Sequence, residues 1–232
     1  MQDFDTIKEN YAKVIRELSE ITDRPVEIMA VTKNQPVEFI NYAINELGVS
    51  IIGENRVQEL LSKYDRIEFP NDRKVRVHLI GSLQTNKVKY IIDKVDMIES
   101  LDSIKLAREI DSRAKKAGRI MEVLVEVNIG REEQKGGVMP EELCEFIEKL
   151  AEFSSIKVRG LMTIAPKTDE KEKIFKYFCE TYQYFIDISQ KNVHNISMEI
   201  LSMGMSSSFE EAIRAGSTEI RLGTTLFGER IY

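Results

Sequence analysis

Val26-Glu-Ile-Met-Ala-Val-Thr-Lys33 is a short apolar run that ends in a lysine, and Pro36 follows shortly after it. Runs of this composition are typical of buried strands, and proline is common where a helix begins. In chains that alternate strands and helices, the active face lies at the carboxyl ends of the strands. Lys33 is therefore placed to act as a Schiff-base amine, although a solvated lysine at a strand end is the commoner case.

The same pattern of a short β-branched run followed by a helical stretch recurs along the chain. The predicted strands are 26–32, 49–53, 75–81, 97–100, 121–129, 158–164, 199–203 and 219–222. An additional amphipathic helix over about residues 3–22 precedes the first strand. Eight strands that alternate with helices favour an α/β fold, a closed (β/α)8 TIM barrel, over an open sheet. A barrel usually needs about 250 residues, so we expect residues 1–232 to form a single domain.

Composition limits the partners that this chain can have. Hydrophobic residues make up 42% of the chain and charged residues 31%, and the formal net charge is -6. A protein that binds phosphate backbones or anionic lipids needs a surplus of lysine and arginine, so no nucleic acid or membrane partner is expected. Small ligands or proteins are the favoured partners.

Cysteine and histidine usage indicates an ordinary reducing compartment. Cys144 and Cys179 form no CxxC pair, and His78 and His194 lie far apart in the sequence, so no metal site is expected. The amino terminus lacks the apolar core of a signal peptide. No apolar run approaches the roughly 20 residues of a membrane span. We expect a cytoplasmic protein.

Two segments after the last strands have the character of an anion cradle. Ser206 to Ser208 precede a predicted helix, and Gly223-Thr-Thr-Leu-Phe-Gly228 follows strand eight. Backbone N–H groups at such positions bind phosphate, and barrels often carry a phosphate site after strands seven and eight. Ordinary helix capping is the alternative for the serines alone.

Arg221 ends the last apolar strand. A guanidinium that faces the barrel needs an acceptor because burying it unpaired is costly. A bound cofactor is one such acceptor, and a structural salt bridge with Glu199 or Glu126 is an equally good explanation from the residues alone.

Seven motifs occur in order between about Val26 and Arg230. They are Ala30-Val-Thr-Lys33, Gly53-Glu-Asn55, His78-Leu-Ile-Gly-Ser-Leu-Gln-Thr-Asn-Lys87, Arg159-Gly-Leu-Met162, Leu201-Ser-Met-Gly-Met-Ser206, Ala212-Ile-Arg-Ala-Gly-Ser-Thr218 and Arg221-Leu-Gly-Thr224. As a set, they resemble the pyridoxal phosphate homeostasis proteins, the YggS/PROSC-type relatives of the amino-terminal barrel domain of alanine racemase. The resemblance implies the cofactor pyridoxal 5′-phosphate (PLP).

The resemblance also implies roles for individual residues. Lys33 would hold PLP as a covalent aldimine, and Arg221 would approach the pyridine nitrogen. The other implied contacts are Ser206, Gly223 and Thr224 at the phosphate, Asn55 and His78 along the ring pocket, and Ser202, Met203 and Ser207 in the same loop region.

A regulator of intracellular PLP is the function that the resemblance favours. Alanine racemases bring a second acid, a tyrosine, from a further domain of the partner subunit, whereas this sequence ends at Tyr232, eight residues after Thr224. We therefore expect a monomer that buffers PLP (vitamin B6) and amino-acid balance, has no more than weak racemase-like activity, and passes PLP to dependent apoenzymes. A true amino-acid racemase and a cofactor-free aldolase are the alternatives.

Overall fold

The computed structural model describes residues 3–191 and 193–228. Its strands are β1 Glu27–Val31, β2 Ile51–Glu54, β3 Arg76–Leu79, β4 Met97–Leu101, β5 Met121–Val127, β6 Ile156–Thr163, β7 Ile196–Met205 and β8 Glu219–Leu222. Each strand pairs in parallel with its neighbours in chain order, and β8 pairs with β1. The predicted closed (β/α)8 barrel is confirmed.

The helices α1 to α8 are Phe4–Ile21, Val37–Asn45, Val57–Tyr64, Ile104–Lys116, Leu143–Leu150, Lys171–Ser189, Phe209–Arg214 and Thr224–Phe227. Two 3₁₀ helices cover Thr85–Tyr90 and Pro140–Glu142. Within residues 3–191 and 193–228, no helix is both long and apolar enough to cross a bilayer.

The predicted amino-terminal helix is confirmed as α1. Asp3 caps it by accepting a hydrogen bond from the Thr6 amide at 2.8 Å, which satisfies one of the unpaired N–H groups at a helix start. Its apolar stripe is buried against the outside of the barrel, and Asn10 donates to the Leu226 carbonyl at 3.2 Å. This contact fixes α8, which borders the carboxyl end of the barrel.

The barrel interior is only partly apolar. Met29, Val31, Ile51 and Ile80 form one buried group, and Met97, Leu124 and Met162 form another. The remaining interior positions of β3, β4, β7 and β8 carry polar side chains that are buried, namely His78, Glu99, Ser202, Glu219 and Arg221. Such groups need partners inside the barrel, because buried polar atoms are almost always hydrogen-bonded.

Close backbone contact fixes the loops that follow β2 and β3. A Cβ atom on Gly81 would lie 2.2 Å from the carbonyl oxygen of Asn55, so only glycine fits there. The backbone of Asn55 is consequently held at the carboxyl edge of the barrel.

Candidate functional site

A cavity of about 320 Å³ opens at the carboxyl ends of the strands. Its lining residues are Val31, Lys33, Asn55, Ile80, Ile164, Met205, Ser206, Ser207, Arg221, Gly223 and Thr224. Seven of the residues predicted to bind cofactor are therefore brought together: Lys33, Asn55, Ser206, Ser207, Arg221, Gly223 and Thr224. His78, Ser202 and Met203 are not among the lining residues.

Lys33 follows the end of β1, which is held in place by a buried ion pair. The preceding Thr32 is buried, and its hydroxyl donates to Glu54 Oε1 at 2.7 Å. Lys63 Nζ donates to the Thr32 carbonyl at 2.8 Å and to Glu54 Oε1 at 3.0 Å. Burial raises the pKa of Glu54, while the ammonium of Lys63 opposes that effect. This buried ion pair fixes the end of β1, so the half-buried Lys33 side chain starts from a rigid point.

The sequence alone did not identify the pair of Glu54 and Lys63. The only signal was the spacing of Glu59 and Lys63, four residues apart on one helix face, and these two do pair at 2.6 Å. Glu54 belongs to the motif Gly53-Glu-Asn55, but its pairing with Lys63 depends on how α3 packs on β2.

The predicted anion cradle lies on one side of the cavity. Ser206 Oγ accepts a hydrogen bond from the Thr225 amide at 3.2 Å and so joins the end of β7 to the start of α8. Ser208 Oγ accepts from the Met205 amide at 3.2 Å, which closes the turn before α7. Ser208 therefore serves the turn, whereas Ser206 and Ser207 face the cavity.

Gly204 lets this turn approach α7. Its φ of 96° lies in the left-handed region, and a Cβ atom there would be 2.6 Å from Ala212 Cβ. Any other residue would push the serine loop away from the barrel.

Asn55 brings an unsatisfied group to the cavity. Its Oδ1 is buried and has no hydrogen-bond partner among the residues that the structure describes. Since unpaired buried oxygens are uncommon, this atom is suited to a polar group of a ligand.

Arg221 stands in the cavity wall with its guanidinium tied to backbone and hydroxyl oxygens. It is 4% exposed. Its Nη1 donates to the carbonyl and hydroxyl of Ser202 at 2.7 and 2.8 Å, and its Nη2 donates to the Thr163 carbonyl at 2.8 Å. These contacts orient the guanidinium and leave it as a fixed cation beside the cavity.

The salt-bridge explanation for Arg221 is corrected by these contacts. In the described part of the chain, neither Glu199 nor Glu126 hydrogen-bonds to Arg221, and Glu199 instead pairs with Arg159. Burial lowers the pKa of Arg221, and three carboxyl groups oppose this through charge alone: Glu99, Glu219 and Glu126.

His78 and Ser202 lie inside the barrel rather than along the cavity. His78 is fully buried, and its Nδ1 lies 2.6 Å from Glu99 Oε1. Ser202 Oγ donates to Glu99 Oε2 at 2.7 Å. Met203, the next residue on β7, faces the opposite way and packs in the core between barrel and helices, because side chains alternate along a strand.

A second cavity of about 600 Å³ adjoins the first. The two cavities share Ile164, Met205, Ser207 and Arg221. The second is also lined by three lysines: Lys135, Lys167 and Lys171. Two of these lysines pair with carboxylates, Lys135 with Glu132 and Lys171 with Glu211, and Asp169 lines the same cavity.

Glu126 is the next-to-last residue of β5, and its environment stabilises the neutral carboxyl. Burial raises its pKa to about 7; the charge of Asp102 adds to this effect and that of Arg221 opposes it. A Cβ atom on Gly136 would lie 3.5 Å from Asp102 Oδ2 and 4.0 Å from Glu126 Oε2, so the loop after β5 covers both carboxyl groups.

We expect Glu126→Gln to stabilise the protein at high pH. The folded chain keeps the Glu126 proton up to about pH 7, whereas the unfolded chain loses it near the usual value of 4.5. Stability is therefore lost as pH rises through this window. The variant should exceed wild type by about 1 to 3 kcal/mol at pH 8 and by much less at pH 5 in urea unfolding. Glu133→Gln, in the exposed part of the same loop, is the control; an equal gain at both pH values would contradict the assignment.

Comparison with known proteins gives consistent matches over nearly the whole chain. The family model of the alanine racemase N-terminal domain matches residues 2–231. The pyridoxal phosphate homeostasis protein of Aquifex aeolicus is 45% identical over 206 residues, which are 89% of this chain and 88% of that protein. The protein of the same name from Pasteurella multocida is 32% identical over 235 residues, covering 98% and 99% of the two chains.

Solved structures agree with these matches. PipY of Synechococcus elongatus, solved with PLP bound, is 31% identical and covers 94% of this chain and 100% of its own, with a TM-score of 0.82. Alanine racemase from Clostridium difficile is 17% identical with a TM-score of 0.72, and the match spans 98% of this chain and 58% of that one. The likeness to alanine racemase is therefore a likeness of fold alone.

Proposed function

The chain belongs to the alanine racemase N-terminal domain family and, within it, to the pyridoxal phosphate homeostasis proteins, and we propose that it binds PLP through Lys33 and regulates its supply in the cell. One observation carries the proposal. A primary amine, a pair of serine hydroxyls and an unpaired amide oxygen converge on a single cavity.

The residues of the cavity suit this cofactor. Its volume of about 320 Å³ falls within the range of small-molecule sites. Ser206, Ser207 and the backbone at Gly223 and Thr224 offer donors for a phosphate group, and the unpaired oxygen of Asn55 offers a partner for a ring substituent. PLP supplies an aldehyde that a lysine amine can attack reversibly. Lys33 is the lysine in the cavity wall.

Arg221 favours a role in holding the cofactor. PLP enzymes that need a strong electron sink commonly set a carboxylate against the pyridine nitrogen. A guanidinium remains charged and favours the unprotonated nitrogen, which weakens the sink. The fixed position of Arg221 in the cavity wall therefore supports storage and release over a demanding reaction on an amino acid.

A weak amino-acid racemase is the second candidate. The relatives are named as homeostasis proteins rather than enzymes. However, racemisation needs acid and base groups near neutral pKa values, and Glu126 at the same end of the barrel has a pKa of about 7. His78 is enclosed inside the barrel and bonded to Glu99, which leaves Glu126 as the candidate acid.

Borohydride reduction of the PLP-loaded protein tests the proposal. We expect visible absorbance to disappear on reduction and peptide mapping to find the phosphopyridoxyl group on Lys33. Protein that takes up no PLP would refute the assignment. Incubation of the loaded protein with L-alanine in deuterium oxide separates the two candidates, because exchange of the α-proton at enzyme-like rates would establish the racemase.

We expect Ser206→Ala to speed the release of PLP. The substitution removes a cavity hydroxyl and also the acceptor that holds the Thr225 amide, so the cradle loses a contact and part of its order. One hydrogen bond of this kind corresponds to about 1 kcal/mol, or roughly fivefold in the dissociation rate. Stopped-flow transfer of PLP to excess acceptor measures that rate. Ser19→Ala, on the exposed face of α1, is the control, and equal rates in both variants would exclude Ser206 from the cradle.

We further propose that the protein acts in the cytoplasm as a monomer that supplies PLP to dependent apoenzymes. The position of the cavity at the barrel mouth supports the handover, because an acceptor protein can approach from the side where Lys33 and the serines lie. Reactivation of an apo-aminotransferase by the loaded protein, compared with free PLP at equal concentration, tests direct handover. A dialysis membrane between the two proteins should abolish any advantage of the loaded protein.

A further inference from the structure

Glu99 is the common acceptor of a cluster inside the barrel. Its side chain is fully buried, and its two oxygens face different donors. Oε1 lies 2.6 Å from His78 Nδ1, and Oε2 accepts from Ser202 Oγ at 2.7 Å. The carboxyl group of Glu219 belongs to the same cluster, with one oxygen within 4.8 Å of a Glu99 oxygen. Three groups from three other strands thus converge on one carboxyl.

The histidine tautomer decides which of these groups is charged. Nε2 of His78 is buried and has no partner within residues 3–191 and 193–228. A proton on Nε2 would make it an orphaned N–H, which is rare in folded proteins. The proton therefore lies on Nδ1 and is donated to Glu99, which accepts it as a carboxylate. Burial lowers the pKa of His78, so the ring is neutral.

Glu219 then carries the remaining proton. Two carboxyl groups buried this close together favour a state in which they share one proton, because adjacent carboxylates repel, and Glu99 is already the carboxylate that accepts from His78. Burial, reinforced by the charge of Glu99, raises the pKa of Glu219 to about 8. Oε1 of Glu219 has no partner in the described structure, which costs less for a neutral carboxyl than for a carboxylate.

This protonation state makes the cluster neutral together with Arg221. The guanidinium donates to Ser202 Oγ, and that hydroxyl donates to Glu99, so the hydroxyl bridges a cation and an anion. Other charged groups face the cluster from β3, from the segment before β4, and from β5: Arg76, Asp96, Glu122 and Glu126. Loss of the Glu219 proton would add one negative charge that no buried group balances.

We propose that Glu219 is a positioning residue: its proton keeps Glu99 as the counter-ion of Arg221, and loss of that proton weakens PLP binding in the cavity above. Two adjacent carboxylates repel each other and compete for Arg221, which disturbs the wall of the cofactor cavity. They also place extra negative charge beneath an anionic ligand. The effect on PLP rests on the proposed function, whereas the shared proton concerns the chain alone.

A proton is a better occupant of this cluster than a metal ion. One donor atom from each of His78, Glu99 and Glu219 lies within 4.8 Å of the others, a spacing that a divalent cation could also use. The buried guanidinium of Arg221, one hydroxyl away, disfavours a second cation because like charges in a poorly screened interior repel strongly.

Infrared spectroscopy of the cofactor-free full-length protein tests the proton directly. Because Glu126 also keeps its proton up to about pH 7, the variants are compared as difference spectra at neutral pH: we expect a carboxylic-acid carbonyl band in wild type minus Glu219→Gln and none in wild type minus Glu122→Gln. Glu122 is a matched control because it lies on the neighbouring β5 and pairs with Arg159 instead of joining the cluster. Absence of the band from wild type minus Glu219→Gln, or one bound equivalent of divalent metal that Glu219→Gln loses, would overturn the shared proton.

Binding of PLP tests the positioning role. Glutamine keeps a donor toward Glu99 and cannot ionise, so Glu219→Gln should behave like wild type at neutral pH. Between about pH 6.5 and about pH 9, the dissociation constant of wild type should rise about tenfold relative to that of the variant, as one extra buried charge implies. If the ratio of the two dissociation constants does not change with pH while the infrared band is present, the positioning role is wrong and the shared proton stands. Absence of PLP binding in both proteins would instead refute the proposed function and leave the infrared result standing.

Discussion

Lys33→Ala is expected to lose the visible absorbance of the PLP-loaded protein and to release PLP during gel filtration. Alanine removes the amine from the cavity wall but leaves the serine cradle and Arg221 in place. Weak binding through the phosphate should therefore remain. We expect affinity to fall by roughly a hundredfold or more, which corresponds to about 2.7 kcal/mol. Fluorescence titration with PLP measures the remaining affinity.

A matched lysine variant makes this result specific. Lys167 lines the adjoining cavity and is exposed, so Lys167→Ala removes an ammonium from the same face without touching the proposed site of attachment. It should keep the absorbance and the borohydride-trapped adduct. Persistence of the trapped adduct in Lys33→Ala would assign the attachment to a different lysine.

Arg221→Met is expected to destabilise the protein strongly. The substitution keeps an unbranched side chain but leaves Glu99 buried without its counter-ion. Breaking a buried charge pair by removal of one partner typically costs about 3 to 5 kcal/mol. Because burial already raises the pKa of Glu99, the uncompensated carboxyl should take up a proton at low pH. The loss should therefore be larger at pH 8 than at pH 5 in urea unfolding.

Arg159→Met is the control for this effect. Arg159 also bonds two carboxylates, Glu122 and Glu199, but these pairs are partly exposed at the amino-terminal side of the barrel. Pairs of that kind contribute about 1 kcal/mol or less. Equal losses in the two variants would mean that Arg221 is not part of a buried, charge-balanced cluster.

The strands could be predicted from sequence because buried parallel strands are short apolar runs. β1 was expected at 26–32 and occupies Glu27–Val31, and β8 was expected and found at 219–222. β7 is longer than its predicted range of 199–203 and covers Ile196–Met205. Its first residues are half-exposed and mixed in polarity, and Gly204, next to its last residue, has a left-handed conformation, so the apolar run in the sequence covered only the central part of the strand.

Site residues could be predicted where they follow a strand, and less well within it. Lys33 and Ser206 lie just beyond the ends of β1 and β7, at the edge of the barrel where the loops converge, and both line the cavity. For Ser202, a shift of one residue along β7 decides whether the side chain faces the barrel interior or the core between barrel and helices. A sequence motif does not reveal which way the side chain points. Glu99 and Glu219 could not be recognised because their roles depend on each other across strands that are far apart in the sequence.

Pairing of β1 with β8 has a consequence for synthesis on the ribosome. Met29 lies beside Arg221 and Ala30 beside Leu222, so the amine at Lys33 and the cradle at Gly223 come from opposite ends of the barrel sequence. A nascent chain whose residues 219–222 are still inside the ribosome has Lys33 without the proposed phosphate cradle. On the proposed assignment of the site, PLP capture awaits the final strand, and a fragment that ends before this strand lacks the complete site.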